Sequence, residues 1–275
     1  MKIELASSYG FCFGVKRAIK IAENSKDGVT YGELIHNSEE IRRLKENFNV
    51  KTLNTIDEMK NENKVIIRTH GITKSDLKIL KDQNKNIIDA TCPFVTKPQS
   101  IVENMSEKGY DVVIFGDINH PEVKGVMSYS VGNVFVVLSA AELENKKLGK
   151  KVAVISQTTK KIEDYINLVG YLMTRVKEVR IFNTICNATL ENQEAVRELS
   201  NRADVMIIVG GKNSSNTKQL HIISKILCKD SYHIENENEL KKEWFLDKNL
   251  CGISAGASTP DWIIKKIIEK IKKIV

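Results

Sequence analysis

Three of the five cysteines stand at the head of similar stretches of sequence: Cys12, Cys92 and Cys186. Each is followed by a segment with a helical pattern, a short apolar strand and a glycine. The glycine comes 24 residues after the second and third of these cysteines, at Gly116 and Gly210, and 20 residues after the first, at Gly32. This spacing indicates a threefold internal repeat in which the cysteines occupy one equivalent position.

Three cysteines at equivalent positions indicate a metal centre rather than a disulfide framework. The number of cysteines is odd, and no two form the CxxC pair of zinc knuckles or thioredoxins. Thiolates are ligands for iron–sulfur clusters, zinc or copper(I). A [4Fe–4S] cube bound by three cysteines would keep one iron open, as in a catalytic site. Cys228 and Cys251 fall outside the repeated position, and we interpret them as structural.

Polar side chains follow the strands of the repeat at matching positions. The fourth residue after each glycine is His36, His120 or Ser214. A second strand in each repeat runs into a polar loop, at residues 69–71, 156–159 and 254–258. Ligands of parallel α/β proteins bind at the carboxyl ends of the strands. Three of the five histidines lie at such ends, which favours a functional role over chance.

Two loops have the composition of an anion site. The segment GGKNSSN at 210–216 follows a strand and opens a helix, so its backbone N–H groups can bind an anion. The last helix is expected to be capped by Ser258 or Thr259. Two helix N-termini directed at one centre would favour a diphosphate, to which His36 and His70 could donate.

A possible proton donor lies in the segment HPEV at 120–123. Glu122 comes two residues after the strand-end His120, in a stretch predicted to be a loop. A carboxylic acid there could supply protons, and residues 157–159 could order a water or hydroxyl between it and a ligand. The alternative for Glu122 is a solvated surface position.

Strands that alternate with helices predict parallel sheets covered by helices. The predicted helical stretches after the cysteines are residues 15–24, 98–108 and 192–201, and a short strand precedes each cysteine. We therefore predict an α/β fold of three small domains related by a pseudo-threefold repeat. These domains are residues 14–92, 93–185 and 186–275, the last completed by residues 1–13.

The composition is that of a globular protein, with 41% hydrophobic and 28% charged residues. No apolar run approaches the roughly 20 residues that cross a bilayer, and the first residues lack a signal-peptide pattern. We therefore expect a cytoplasmic protein without a membrane segment. The net charge is +7, but the lysines are scattered and form no stripe with aromatic residues. This pattern favours a solvated surface over a nucleic-acid-binding protein.

Nine motifs, in their order along the chain, make the sequence similar to the LytB/IspH family of 4-hydroxy-3-methylbut-2-enyl diphosphate reductases. They are GFCFGV at 10–15, IHN at 35–37, THG at 69–71, DATCP at 89–93, HPEV at 120–123, QTT at 157–159, TICNAT at 184–189, KNSSN at 212–216 and AGAS at 255–258. The resemblance covers essentially the whole chain.

The resemblance implies a trefoil of three α/β domains around one [4Fe–4S] cluster per chain, bound by the three repeated cysteines. It implies a two-electron, two-proton reductive dehydration of an allylic diphosphate, with electrons from a donor such as ferredoxin or flavodoxin. Glu122 would be the proton source, Thr158 would help to place the substrate hydroxyl, and Thr189 would lie beside the cluster. The diphosphate would be held by His36, His70, His120, Ser214, Ser215, Asn216 and Ser258.

The chain departs from the family pattern at a few positions. Phe13 stands where relatives often have a small residue, Asn187 stands where an aromatic is common, and residues 190–192 lack the usual polar-basic run. These differences bear on packing around the cluster and on its reduction potential. Two other functions stay open on residues alone: a nucleic-acid-binding protein, suggested by the net charge, and a zinc hydrolase that uses the same cysteines.

Overall fold

The computed structural model describes residues 1–275, which form twelve β-strands and nine α-helices. The strands are β1 (Lys2–Leu5), β2 (Val29–Tyr31), β3 (Lys51–Leu53), β4 (Lys64–Ile67), β5 (Asn86–Asp89), β6 (Asp111–Phe115), β7 (Val134–Val137), β8 (Lys151–Ser156), β9 (Glu178–Ile181), β10 (Val205–Val209), β11 (Ser231–Ile234) and β12 (Leu250–Ala255). The helices are α1 (Phe13–Asn24), α2 (Ser38–Phe48), α3 (Lys74–Asp82), α4 (Pro93–Glu107), α5 (Pro121–Met127), α6 (Ile162–Arg175), α7 (Asn187–Ser200), α8 (Ser215–Leu227) and α9 (Asp261–Ile274).

One strand order recurs in three four-stranded sheets: β5-β4-β2-β3, β9-β8-β6-β7 and β1-β12-β10-β11. All neighbouring strands are parallel. The N-terminal strand β1 takes the place in the last sheet that β5 and β9 take in the other two, because Lys2 pairs with Leu250 and Leu5 with Ile253. The parallel α/β class and the threefold repetition of the sheet are therefore confirmed.

The chain divides into two compact units. One comprises residues 1–16, 36–42 and 187–275, which include the strands of the last sheet, and the other comprises residues 17–35 and 43–186, which include the strands of the other two. The predicted boundaries of three domains stay a prediction.

The central strand β10 shows why a continuous apolar run forms a strand here. Its alternate residues Val205, Ile207 and Val209 pack with isoleucines of α9, whereas Met206 and Ile208 pack with apolar residues of α7 and α8. Both faces of the strand are thus buried, as is usual for parallel sheets covered by helices. None of the nine helices combines the length and the apolar composition that a membrane span needs.

The helices that follow the three cysteines begin earlier than the sequence predicted. They start at residues 13, 93 and 187 rather than at 15, 98 and 192, directly after each cysteine. The carbonyl of Cys12 accepts the N–H of Lys16 at 2.9 Å, so the cysteine itself begins the hydrogen-bonded ladder. In α4, Pro93 is suited to the first turn, and Pro98 lies inside the helix at the expense of one backbone hydrogen bond.

A substitution of Gly252 can test how tightly the last sheet packs against its helices. A Cβ added at Gly252 of β12 would lie 2.2 Å from Sδ of Met206 and 2.9 Å from Cγ of Leu199. We expect Gly252→Ala to lower the free energy of unfolding by about 1–3 kcal/mol, because the buried neighbours must move. Urea denaturation of the protein, followed by circular dichroism, measures this change.

The matched control is Gly170→Ala in α6, where an added Cβ has no neighbour within 4 Å. Alanine should raise the free energy of unfolding there by roughly 0.5–1 kcal/mol, because glycine is a poor helix former. Equal stabilities for the two variants would contradict the packing described for β12.

Candidate functional site

The three repeated cysteines are held by the same backbone hydrogen bond. Each cysteine N–H donates to a carbonyl two residues beyond the end of a central strand: Cys12 to Ala257 (3.3 Å), Cys92 to Thr69 (3.0 Å) and Cys186 to Thr158 (3.0 Å). The next residue in each case begins a helix. The partial positive charge of a helix N-terminus favours an anionic group at that point, which suits a thiolate ligand.

Exposure separates these cysteines from the other two. None of the five is in a disulfide, and Cys12, Cys92 and Cys186 are partly exposed, whereas Cys228 and Cys251 are buried. Burial raises the pKa of the Cys228 thiol and raises the pKa of Cys251 to about 12. Because the thiolate is the form that binds a metal, the two buried thiols are poor ligands.

The glycine positions of the repeat are also equivalent in the structure. The N–H of each glycine donates to the last residue of the adjacent edge strand: Gly32 to Leu53 (2.7 Å), Gly116 to Val137 (2.9 Å) and Gly210 to Ile234 (2.9 Å). Four residues later, His120 and Ser214 are the caps of α5 and α8. His36 lies one residue before the corresponding cap, because Asn37 accepts the N–H of Glu40 at 3.0 Å.

Glu122 lies in a buried polar cluster with His120 and Thr158. Its carboxylate accepts the Thr158 N–H at Oε1 and the Thr158 hydroxyl at Oε2, both at 2.7 Å. The Glu122 N–H donates to Nδ1 of His120 at 3.2 Å, so a neutral His120 ring carries its proton on Nε2. A carboxyl group held in this way can store a proton and release it at a fixed place.

One expectation for Glu122 was wrong, and the alternative weighed against its functional role is excluded. It lies in the first turn of α5 rather than in a loop, because His120 caps that helix. It is only 3% exposed, so the alternative of a solvated surface position is excluded as well.

A second predicted histidine adjoins this cluster. The rings of His70 and His120 lie edge to face, with their centroids 5.3 Å apart and their planes at 86°. The His70 loop follows β4, whereas His120 follows β6, so the ends of strands from two different sheets contribute to one polar site. Predicted residues of the second compact unit that meet here are His70, His120, Glu122 and Thr158.

The remaining predicted ligand-binding residues surround the N-terminus of α8. Ser214 accepts the N–H of Thr217 at 3.2 Å, and Ser258 donates its hydroxyl to the carbonyl of His36 at 3.1 Å. Ser215 is the first residue of α8. Asn216 is 4% exposed, and both polar atoms of its side-chain amide are buried without a protein partner. A buried amide of this kind at a helix N-terminus is typical of a position where a ligand completes the hydrogen bonding.

The expected cap of the last helix was wrong. The cap of α9 is Pro260, whose backbone is extended, and no side chain caps the helix. Thr259 instead donates its hydroxyl to the carbonyl of Val209 at 3.0 Å, and Ser258 reaches His36. The two hydroxyls lie one and two positions too early to serve as the cap.

A contact outside the predicted set connects α2, the helix that follows the His36 loop, with the start of α9. The indole N–H of Trp262 donates to Oε2 of Glu40 at 3.0 Å, and Glu40 is 1% exposed. The spacing of Asn37 and Glu40 matches a capping signature and could have marked the start of α2. Nothing in the local sequence pairs Glu40 with Trp262, which is far away along the chain.

The fold and the site together define a parallel α/β protein in which three repeats each present a cysteine at the start of a helix. The family model described as LytB protein matches residues 3–272. The chain therefore belongs to the LytB family, and the resemblance found in its motifs is confirmed.

Curated relatives and solved structures agree with this assignment. The chain is 72% identical over 274 residues to 4-hydroxy-3-methylbut-2-enyl diphosphate reductase of Campylobacter fetus subsp. fetus, covering 100% of this chain and 98% of that protein. It is 65% identical over 274 residues to the reductase of that name from a Nitratiruptor species, covering 100% and 99%.

Two solved structures are similar to the whole chain. One is described as (E)-4-hydroxy-3-methyl-but-2-enyl diphosphate reductase, the terminal enzyme of the non-mevalonate pathway. It is 42% identical, has a TM-score of 0.72 and covers 99% of this chain and 100% of its own. The other is the E-1-hydroxy-2-methyl-but-2-enyl-4-diphosphate reductase of Plasmodium falciparum. It is 25% identical, has a TM-score of 0.91 and covers 97% and 86%.

The different surroundings of the cysteines predict different thiol reactivity. In metal-free protein, iodoacetamide should label Cys12, Cys92 and Cys186 well before Cys228 and Cys251, because burial suppresses the reactive thiolate of the latter two. Mass spectrometry of peptides after timed labelling measures the five rates. Labelling in denaturant is the control and should remove the difference. A Cys251 rate equal to that of Cys12 in the folded protein would contradict the burial described here.

Proposed function

We propose that the chain is a 4-hydroxy-3-methylbut-2-enyl diphosphate reductase that forms isopentenyl and dimethylallyl diphosphate in the last step of the non-mevalonate pathway. The observation that carries the proposal is the buried contact between Glu122 and Thr158, whose carbonyl also accepts the N–H of Cys186. Thr158 thus connects two groups: the carboxyl group of Glu122, which can deliver a proton, and Cys186, which can hold a redox centre. Relatives that are 65–72% identical over nearly their whole length support the assignment.

We propose that Cys12, Cys92 and Cys186 bind one [4Fe–4S] cluster per chain. The three thiols are partly exposed, stand at helix N-termini and occupy one repeated position, all of which fit an anionic thiolate-bound cluster. When bound, the cluster would supply electrons and a Lewis-acidic iron that three cysteines leave open.

The α8 N-terminus and its surroundings would hold the diphosphate of the substrate. The buried amide of Asn216, the hydroxyls of Ser214 and Ser215, and the backbone N–H groups of the helix start offer the donors that an anion needs. The hydroxyl of Ser258 would donate to the anion in place of the His36 carbonyl. His36 and His70 would add further donors. His120 would donate from Nε2, since its Nδ1 accepts the N–H of Glu122.

Glu122 and Thr158 would move the proton. The reaction adds two electrons and two protons to the substrate and releases its hydroxyl as water. A protonated Glu122 can donate from Oε2 to Oγ1 of Thr158, and the threonine hydroxyl is then directed away from the carboxyl group and can reach the substrate. A soluble carrier such as ferredoxin or flavodoxin would deliver the electrons.

The cluster assignment predicts a specific pattern among cysteine variants. Protein prepared without oxygen should be brown and contain about four irons per chain. Serine at position 12, 92 or 186 should abolish most of the iron and all of the turnover, because each substitution removes one of three ligands. Cys228→Ser is the control and should keep both.

Iron and sulfide assays with a visible spectrum measure these outcomes. A colourless protein that binds zinc through the same three cysteines would contradict the proposal. So would a Cys92→Ser variant with full iron content.

The proton-transfer role predicts a separation of binding from turnover. Glu122→Gln should retain the cluster and the affinity for the substrate but reduce turnover by a factor of roughly 10²–10⁴, because an amide cannot deliver the proton. Glu107→Gln on the exposed end of α4 is the matched control and should be unaffected. Anaerobic steady-state kinetics with a reduced dye as electron donor measure both. Normal turnover in Glu122→Gln would remove this residue from the reaction.

A further inference from the structure

The loop between β10 and α8 is held from the side by the segment that begins in β11. Nε2 of His233 lies 2.8 Å from the carbonyl oxygen of Gly210. A carbonyl only accepts, so this ring nitrogen carries a proton and donates it. Burial lowers the pKa of His233, which is consistent with a neutral ring protonated at Nε2.

Two further contacts connect the same segments. The N–H of Lys212 donates to Oε1 of Glu235 at 2.7 Å. The ammonium group of Lys212 pairs with Glu239 at 3.1 Å and also donates to the carbonyl of His233. The start of the loop is therefore attached at its backbone and at its lysine to residues 233–239.

The loop needs such external support because of its two glycines. Gly210 has a φ of 148°, which side chains rarely allow, and a Cβ added at Gly211 would lie 2.4 Å from the carbonyl oxygen of His36. Glycine fits this close approach but has many other conformations available to it. Residues that fix the peptide groups from outside must select one conformation.

The bond from His233 has a directional effect on the loop. In a trans peptide, the carbonyl of Gly210 and the N–H of Gly211 point in opposite directions. Holding the carbonyl on the side of β11 keeps its negative end there and turns the Gly211 N–H to the other side. The next peptide group, between Gly211 and Lys212, is fixed by its N–H, which donates to the carboxylate of Glu235.

We propose that His233 and Glu235 are positioning residues that hold residues 210–213 in the shape that binds the diphosphate. The inference rests on the proposed function, because it assigns these residues to the proposed substrate site. Neither side chain needs to touch the substrate. They restrict the loop to one conformation before the substrate arrives, so the loop loses less conformational entropy on binding. This strengthens binding without changing the chemical step.

The test uses the cluster-containing enzyme and inorganic diphosphate as the probe, with binding measured by anaerobic titration calorimetry. His233→Leu should raise the dissociation constant roughly three- to tenfold, the effect expected from the loss of one hydrogen bond. His233→Gln should restore most of the affinity, because its side-chain amide can donate from a similar position. KM for the substrate should rise in parallel, whereas kcat, iron content and the visible spectrum should change little.

Two further variants make the test specific. His221→Leu is the matched control, because the His221 ring lies 5.8 Å from that of His233 but its Nε2 lies against the carbonyl of Ser231 rather than against the loop. It should leave the dissociation constant within about twofold of the wild type. Glu235→Ala should weaken diphosphate binding and Glu235→Gln should not, since the amide oxygen still accepts from Lys212. This second pair tests the inference even if His233→Leu does not fold.

The outcomes separate the inference from the proposed function. If wild-type enzyme binds diphosphate and His233→Leu and Glu235→Ala bind it equally well, the positioning role is wrong while the reductase proposal stands. If the wild-type enzyme with its cluster does not bind diphosphate at all, the proposed diphosphate site is wrong and the inference fails with it. A fall in kcat as large as the rise in KM would indicate a general disturbance and would also overturn the positioning role.

Discussion

The hydrogen bond between a cysteine N–H and a carbonyl just beyond a central strand is the constraint on which the site depends. Both partners belong to the backbone, so the register of the loop against the strand end decides where each thiol stands. The same bond occurs at Cys12, Cys92 and Cys186, and each time the following residue begins a helix. The repeated fold therefore places the positive end of a helix at each of the three cysteines.

Burial determines whether the polar side chains of each compact unit find partners within the protein. A buried polar atom without a partner costs about 1–3 kcal/mol, so most such atoms in a protein are satisfied. Thr158 satisfies both oxygens of Glu122, and its carbonyl accepts the N–H of Cys186. Asn216 is the opposite case, since its buried amide finds no partner within the protein. A ligand that bonded to this amide would remove the cost of leaving it unpaired.

The two remaining cysteines show that residue type alone does not define a ligand. Cys251 is fully buried in the core with β10 and α9, and burial raises its pKa to about 12. Cys228 packs in the cluster on the other face of the same sheet. In both cases the thiol behaves as a small apolar side chain, and the protein gains packing rather than chemistry.

The sequence by itself determined the fold class, the repeated cysteines and the strand-end positions of His36, His120 and Ser214, because periodicity and spacing are local properties of the chain. It did not locate the first turns of α1, α4 and α7, since the cysteine before each helix is hydrogen-bonded to a loop far away along the chain. The burial of Glu122 and its bonds to Thr158 depend on how β6 lies beside β8, and only the tertiary structure decided them. The same holds for His233 and Glu235, which reach the glycine loop because β11 lies parallel to β10 in one register. Contacts of this kind join residues far apart along the chain, and no local pattern encodes them.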